Sequence, residues 1–423
     1  MGIKVQKVGE QIKLLEAVPP GAFNFEGLRA ELRLEMDALA VSAGKLLVEG
    51  IVSAEVDAIA GVKYSRTNEG VDRWGHQSGY VIIGGQKVPV KRPRLRTSGG
   101  NELPLESYER FQDHEQRTSA VLQRLIAGIS CRSYPKAVEE FSEGYGISKS
   151  VVSREMIAAT SEELRRLVER DLSAFEAVAI LIDGIHVGKT LLIVALGVNI
   201  DGTKQILGFR EGSSENADVC VSLLEDMVRR GLRSEGRPVL VIIDGSKALH
   251  AAIDRFFGAW AVVQRCEIHK RRNVLSHLPE KYQSQFGRKL SAAYKMKTFD
   301  QAKSALTAVV KELEFLNHSA AASLLEGLDE TLTVHALELP ELLRTTFAST
   351  NLIESAFSRA RTATSNVKRW QNSSQVQRWM ATALVQAEKG FRKVRGYRAM
   401  PILLNALNGI AKERGLAAEE KIN

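Results

Sequence analysis

Asp183 and Asp244 stand in matching settings, LIDGIHVG and VIIDGSKAL, where each aspartate closes an apolar run and precedes a glycine. A carboxylate at the end of a buried strand is awkward as packing. It suits a hard divalent cation, which takes a few carboxylates together with waters and substrate phosphates. An Asp-Gly turn would explain either aspartate alone, whereas the pair on neighbouring strands favours a shared metal. Glu354, in STNLIES at the first turn of an expected helix, is the third candidate ligand. Its alternative is a capping box, with Asn351 as N-cap and Glu354 at N3. Three such carboxylates could hold two Mg²⁺ ions, with Mn²⁺ as a substitute, about 3.5–4 Å apart, one activating a nucleophile and the other steadying the leaving oxygen of an in-line displacement. Cys266 and His269, in QRCEIHKRRN, have the spacing of half a zinc site with no second half nearby. Their neighbours Arg265, Lys270, Arg271 and Arg272 instead suggest a place beside a polyanion, and His186 reads as incidental.

These residues need a scaffold, and the pattern around them supplies one. AVAILIDGIHVG, TLLIVALGVNIDG and KQILGFREG read as three adjacent strands divided by glycine turns. An amphipathic helix (218–230) follows, then the apolar strand PVLVIIDG, a helix (248–257) and the strand WAVVQRC. Three strands, helix, strand, helix, strand is the element order of an α/β ribonuclease-H-like catalytic core. From Arg271 to about Arg344 helical periods take over, as in an all-helical insertion. The helix 349–362 then closes the core with Leu352, Ile353, Ala356, Phe357 and Ala360 on one face.

Upstream, residues 1–60 read as helical, with Leu28, Leu32, Met36, Leu39 and Ala40 at helical spacing. YVIIGGQKVPVKRPRLR reads as a hairpin about Gly84-Gly85 whose basic string could touch phosphates or guard an exposed edge strand. Residues 117–160 hold three short helical patterns. The last, after Gly144 and Gly146, would bury Val151, Val152 and Met156 and expose Lys149, Ser150, Ser153 and Arg154. A helix-turn-helix presents such a polar-basic helix to a major groove; trihelical packing without DNA is the other reading.

The chain of 423 residues has ordinary globular composition and length for two or three domains. Cys131, Cys220 and Cys266 are odd in number and scattered, which argues for a reducing compartment, so the cytoplasm is expected. The start lacks a signal-peptide core, and no apolar run approaches a membrane span. The net charge of +8 is concentrated: Arg344–Met400 holds eleven basic residues against Glu354 and Glu388, a local +9 that leaves −1 for the remainder. Arg359, Arg361, Lys368 and Arg369 lead that segment, which suits a polyanion at one surface, although a solvated helical face would carry similar charge.

Four ordered passages resemble the Mutator-like DDE transposases, in their bacterial insertion-sequence branch. They are the Asp183 strand with VALGVNIDGTKQILGFREGSSEN, VIIDGSKALHAAI, VQRCEIHKRRNVLSHLP and STNLIESAFSRARTAT. The family's Cys/Asp-x-x-His signature falls on Cys266 and His269, and its Thr-Asn-x-x-Glu motif on Thr350, Asn351 and Glu354. A tryptophan expected after Glu215-Asn216 is absent, leaving ADVC. The resemblance implies binding of terminal inverted repeats, Mg²⁺-dependent release of a 3′-hydroxyl and its transfer into target DNA, with Asp183, Asp244 and Glu354 as the triad. It implies double-stranded DNA as partner, a homodimer, and no membrane; the protein would meet the nucleoid when bound to DNA.

The expected domains are an N-terminal region (1–104), a helix-turn-helix domain (105–174), the first part of the core (175–270), the helical insertion (271–345), and the closing helix with the basic C-terminal region (346–423). A nuclease or resolvase that cuts without joining, and a domesticated DNA-binding regulator, are the alternatives. Survival of all three carboxylates disfavours the regulator.

Overall fold

The computed structural model describes residues 25–63, 70–83, 86–112, 149–212, 217–365, 367 and 369–416. The chain divides into two compact units, Met1–Ala159 and Thr160–Asn423. Among the described residues no helix is long and apolar enough to cross a membrane.

In the first unit, a 36-residue helix, α1 (Phe25–Ala60), packs on a long hairpin of β1 (Val71–Ile83) and β2 (Gln86–Thr97), with the short β3 (Glu102–Leu103) paired to the end of β2. Val41, Val48, Val52 and Val56 recur at helical spacing and meet Val81, Val88, Val90 and Leu95 in one core, while Leu39 is exposed. The hairpin is longer than its sequence pattern suggested, pairing from Ile83↔Gln86 out to Val71↔Thr97 with an irregularity between Arg73 and His76. Part of its basic string is already neutralised. Arg92 and Arg94 both pair with Glu102 (2.6 and 2.7 Å), and Arg96 lies 4.4 Å over the Trp74 ring.

The second unit is built on five strands: β4 (Ala177–Val187), β5 (Thr190–Asn199), β6 (Lys204–Gly212), β7 (Val239–Ile243) and β8 (Ala261–Arg265). Their spatial order is β6-β5-β4-β7-β8, with β6, β5 and β4 antiparallel and β4, β7 and β8 parallel. The central strands are apolar along nearly their whole length because helices cover both faces. On one face Ile180, Ile182, Val241 and Ile243 pack with residues of two helices, Ala217–Arg229 and Lys247–Phe257. The fully buried Cys220, from the stretch that lacks the expected tryptophan, belongs to this layer.

Leu181, Ile185, Leu240 and Ile242 point to the other face, where helices Asn351–Thr364, Ser373–Lys389 and Met400–Glu413 cover them. The helix Asn351–Thr364 buries Ile353, Ala356, Phe357 and Ala360, the stripe expected from its spacing, and Leu352 packs at its margin. Between β8 and that helix every element is helical, from Glu267 to Phe347, around a core of Val274, Phe286, Leu290, Leu306, Leu313 and Leu324. This block is tied to the edge strand by Gln264, whose side chain donates to Thr331 O and accepts from Val334 N.

Candidate functional site

Alternation along the strands decides which face each acid occupies. Asp183 shares its face with Leu181 and Ile185, on the side of the Asn351–Thr364 helix. It is not at the end of its strand, as its Asp-Gly pair suggested, but in the stretch of β4 that runs past the last pairing with β7 and still pairs with β5. Two steps before it, Leu181 is opposite Ile242. The same register carried forward brings Asp183 level with Asp244, the first residue after β7.

Glu354 comes from the first turn of the Asn351–Thr364 helix. Ligand atoms of Asp183, His269 and Glu354 lie within 4.8 Å of one another, and these three form the metal-competent cluster among the described residues. Asp244 is not one of the three; its Oδ1 accepts the Ser246 amide at 2.9 Å. The capping-box reading of Glu354 is corrected. The N-cap is Thr350, with no side-chain cap bond, and Asn351 is the exposed first helical residue. Thr350 is wholly buried and donates through its amide and hydroxyl to Cys266 Sγ at 3.5 and 3.6 Å. The Thr-Asn-x-x-Glu motif singled out Thr350, but nothing in the sequence joined it to Cys266, 84 positions away.

Electrostatics reinforce the grouping. Asp183 is 7% exposed. Burial raises its carboxyl above the usual range, and nearby Asp244 adds to this, while His269, the Gly184 amide and the Thr350 hydroxyl oppose it. His269 is raised to about 9 by the Cys266 sulfur beside it, against desolvation, and by the carboxylates of Asp183 and Asp244. Its Nε2 is 3.9 Å from Glu354, while Nδ1 is buried without a hydrogen-bond partner. Burial alone would push the Cys266 thiol up; His269 and Thr350 outweigh it and hold the thiol below its ordinary range. Cys266 faces Thr350 and has no place in the cluster, so the half-zinc spacing corresponds here to a buried thiol beside an imidazole.

The expected DNA-facing cations separate into two groups. Arg265 is buried, donating to Gly245 O (2.7 Å) and Glu326 O (2.9 Å), and strand alternation turns it to the face opposite Asp183. That takes it out of the set offered to a phosphate. Its neighbour Lys270 is buried too, on Ser323 O and Glu326 O. Arg271 donates to Ser291 Oγ, whereas Arg272 is exposed, 4.0 Å from Glu354. Arg359, Arg361 and Arg369 are exposed, with Arg359 reaching Gly390 O, and Lys368 lies outside the described residues. Arg154 is exposed on the helix Lys149–Val168, whose first turns contain Lys149, Ser150 and Ser153. The two helices expected before it, over 117–144, lie outside the described residues. His186 is exposed on β4.

The chain is similar to several known proteins. A transposase for insertion sequence element IS6120 of Mycolicibacterium smegmatis is 32% identical over 250 residues, 57% of this chain and 75% of that relative. A transposase for insertion sequence element ISRM5 of Rhizobium meliloti is 27% identical over 366 residues, 84% of this chain and 88% of its own length. The transposase for IS256 in transposon Tn4001 of Staphylococcus aureus is 28% identical over 281 residues, 63% and 68% of the two chains. Residues 23–394 match the profile described as "Transposase, Mutator family", a span that takes in the Asp183 strand, the Asp244 loop, the Cys266–His269 turn and the Glu354 helix, so the chain belongs to that family.

Proposed function

We propose that this transposase-family protein cleaves DNA at the terminal inverted repeats of an insertion sequence and joins the freed 3′ end to target DNA, using Asp183, Asp244 and Glu354 with Mg²⁺. The observation that carries this reading is the convergence of Glu354 on Asp183 within 4.8 Å, on the face where strand register brings Asp183 level with Asp244. The sheet order, three antiparallel strands followed by two parallel ones, supports a ribonuclease-H-like core. A helix-turn-helix ending in the Arg154 helix would read the repeats, and a homodimer would bring two ends together.

The donor set suits the ion. Two carboxylates give hard oxygen ligands, and the adjacent imidazole is compatible with Mn²⁺ as a substitute. Bound divalent ions supply activation of the attacking water or 3′-hydroxyl and stabilisation of the leaving oxygen. The chain's own residues do the rest. His269, its imidazole raised to about 9, sets positive charge beside Asp183 and Glu354. The Gly184 amide orients Asp183, and Arg272 stands beside Glu354 where a phosphate would approach.

Asp183→Asn, Asp244→Asn and Glu354→Gln keep side-chain size and remove the ligand charge. Each is expected to lose cleavage and joining on a repeat-bearing duplex while still binding that duplex. Wild-type joining by any variant would remove that residue from the centre. Cleavage by the wild-type protein with no joined product would make it a nuclease, and so would a coding region without flanking inverted repeats and a short target duplication.

A further inference from the structure

We infer that Arg265 is a positioning residue for Asp244, a brace that fixes the aspartate's carboxylate by gripping one peptide group. The inference rests on Asp244 binding a divalent ion, as proposed above. Asp244 Oδ1 accepts from the Ser246 amide at 2.9 Å. The carbonyl on the other side of that same peptide, Gly245 O, accepts from an Arg265 terminal nitrogen at 2.7 Å. A peptide unit is planar and stiff, so holding its carbonyl also aims its N–H. Each bond polarises the next, and the guanidinium charge reaches the carboxylate through one amide.

The surroundings leave the brace little freedom. Arg265 ends β8 opposite Ile243, the last residue of β7, so its backbone is level with the Asp244 loop. Its second terminal nitrogen donates to Glu326 O in the helical block, where Gly327 lies against the guanidinium. Gly245 has φ +102°, and a Cβ there would stand 2.6 Å from Arg265 Nε. Both glycines therefore leave room for one planar fork that joins the Asp244 loop to the helical block. A lysine carries the same charge on one compact ammonium, without the planar fork whose two terminal nitrogens reach Gly245 O and Glu326 O separately.

Lys270 provides the contrast. It shares Glu326 O with Arg265 and is equally buried, yet its ammonium is held by Ser323 O and Glu326 O and not by the Gly245 peptide. If Arg265 only secured the helical block, the two residues would behave alike.

The test uses the full chain and Mn²⁺. Half-saturating Mn²⁺ is read twice, from the rise in melting temperature without DNA and from cleavage of a repeat-bearing duplex. Arg265→Lys is expected to raise both values about tenfold, the usual scale for removing a group that orients a ligand. Gly245→Ala should shift both in the same direction while keeping the arginine. Lys270→Met should lower the melting temperature and leave both half-saturation values unchanged. Unshifted Mn²⁺ dependence in Arg265→Lys and Gly245→Ala overturns the brace, as does an equal shift in Lys270→Met. Asp244→Asn separates the two readings. If it binds Mn²⁺ and cleaves like wild type, the assignment of Asp244 fails and takes the brace with it. If it is inactive while the Arg265 and Gly245 variants match wild type, only the brace fails.

Discussion

Two stretches of this chain carry dense positive charge, and the fold uses them in opposite ways. In QRCEIHKRRN, Arg265 and Lys270 have side chains only 9% and 4% exposed, while Arg272, two residues beyond Lys270, is 62% exposed. In the closing segment, Arg359, Arg361 and Arg369 all face solvent. The difference follows from the elements. Arg265 terminates a strand with covered faces, and Lys270 is in the first turn of the first helix of the helical block, its ammonium turned onto the block's own carbonyls. Arg359 and Arg361 fall between the buried positions Ala356, Phe357, Ala360 and Thr364 of a helix with one free side. Charge density along a sequence is therefore not charge at a surface; the periodicity of the element decides which cations a polyanion can meet.

Stability should separate the two groups of cations most widely. Arg265→Ala leaves the Gly245 and Glu326 carbonyls without their buried cation and should cost about 3–5 kcal/mol in urea unfolding, whereas Arg272→Ala should stay within about 0.5 kcal/mol. Equal losses would mean the two cations are not differently placed. DNA binding should give the reverse ranking. Replacing Arg359, Arg361 and Arg369 with glutamine should weaken binding to any duplex and flatten log K against log salt by about 0.9 for each phosphate left without its cation. Lys270→Gln should leave that slope alone, and an unchanged slope in the triple variant would show that the closing segment does not meet DNA.

A subtler division runs between adjacent residues, His269 and Lys270. In metal-free buffer, His269 is raised from 6.5 to about 9, so the folded state binds the extra proton and its stabilisation is complete below pH 6.5 and lost as pH climbs through about 9. Lys270 is lowered by burial from 10.5 to about 8. There the unfolded state binds more protons, so its contribution to stability rises between about pH 8 and 10.5. Urea titrations across pH 6–10.5 should find the first trend missing in His269→Gln and the second missing in Lys270→Met. A wild-type pH profile in either variant would detach the trend from that residue.

Much of the second unit was legible because its signals are local. Apolar runs broken by glycine marked β4, β5 and β6, and the stripe at Ile353, Ala356, Phe357 and Ala360 marked the closing helix, each within two or three residues of its observed span. The capping alternative for Glu354 fails because residue types put the cap one position out of register, at Asn351 instead of Thr350. Arg265 turns inward although the clue to that was present. A charge that ends a buried strand needs a partner, and this holds for Arg265 as much as for Asp183 and Asp244.

By itself the sequence determined the strands, the helices, the family and the short list of groups able to do chemistry, since these depend on periodicity and on motifs spanning a few residues. Tertiary structure alone decided which of those groups meet. Asp183 and Glu354 are 171 positions apart and come within reach because one strand face and one helix stripe pack together. The same packing drew in His269, set Asp244 to one side on its own loop, and turned Arg265 inward. None of those outcomes is coded by a residue's neighbours in the chain; each depends on register across strands and on which face a covering helix finds.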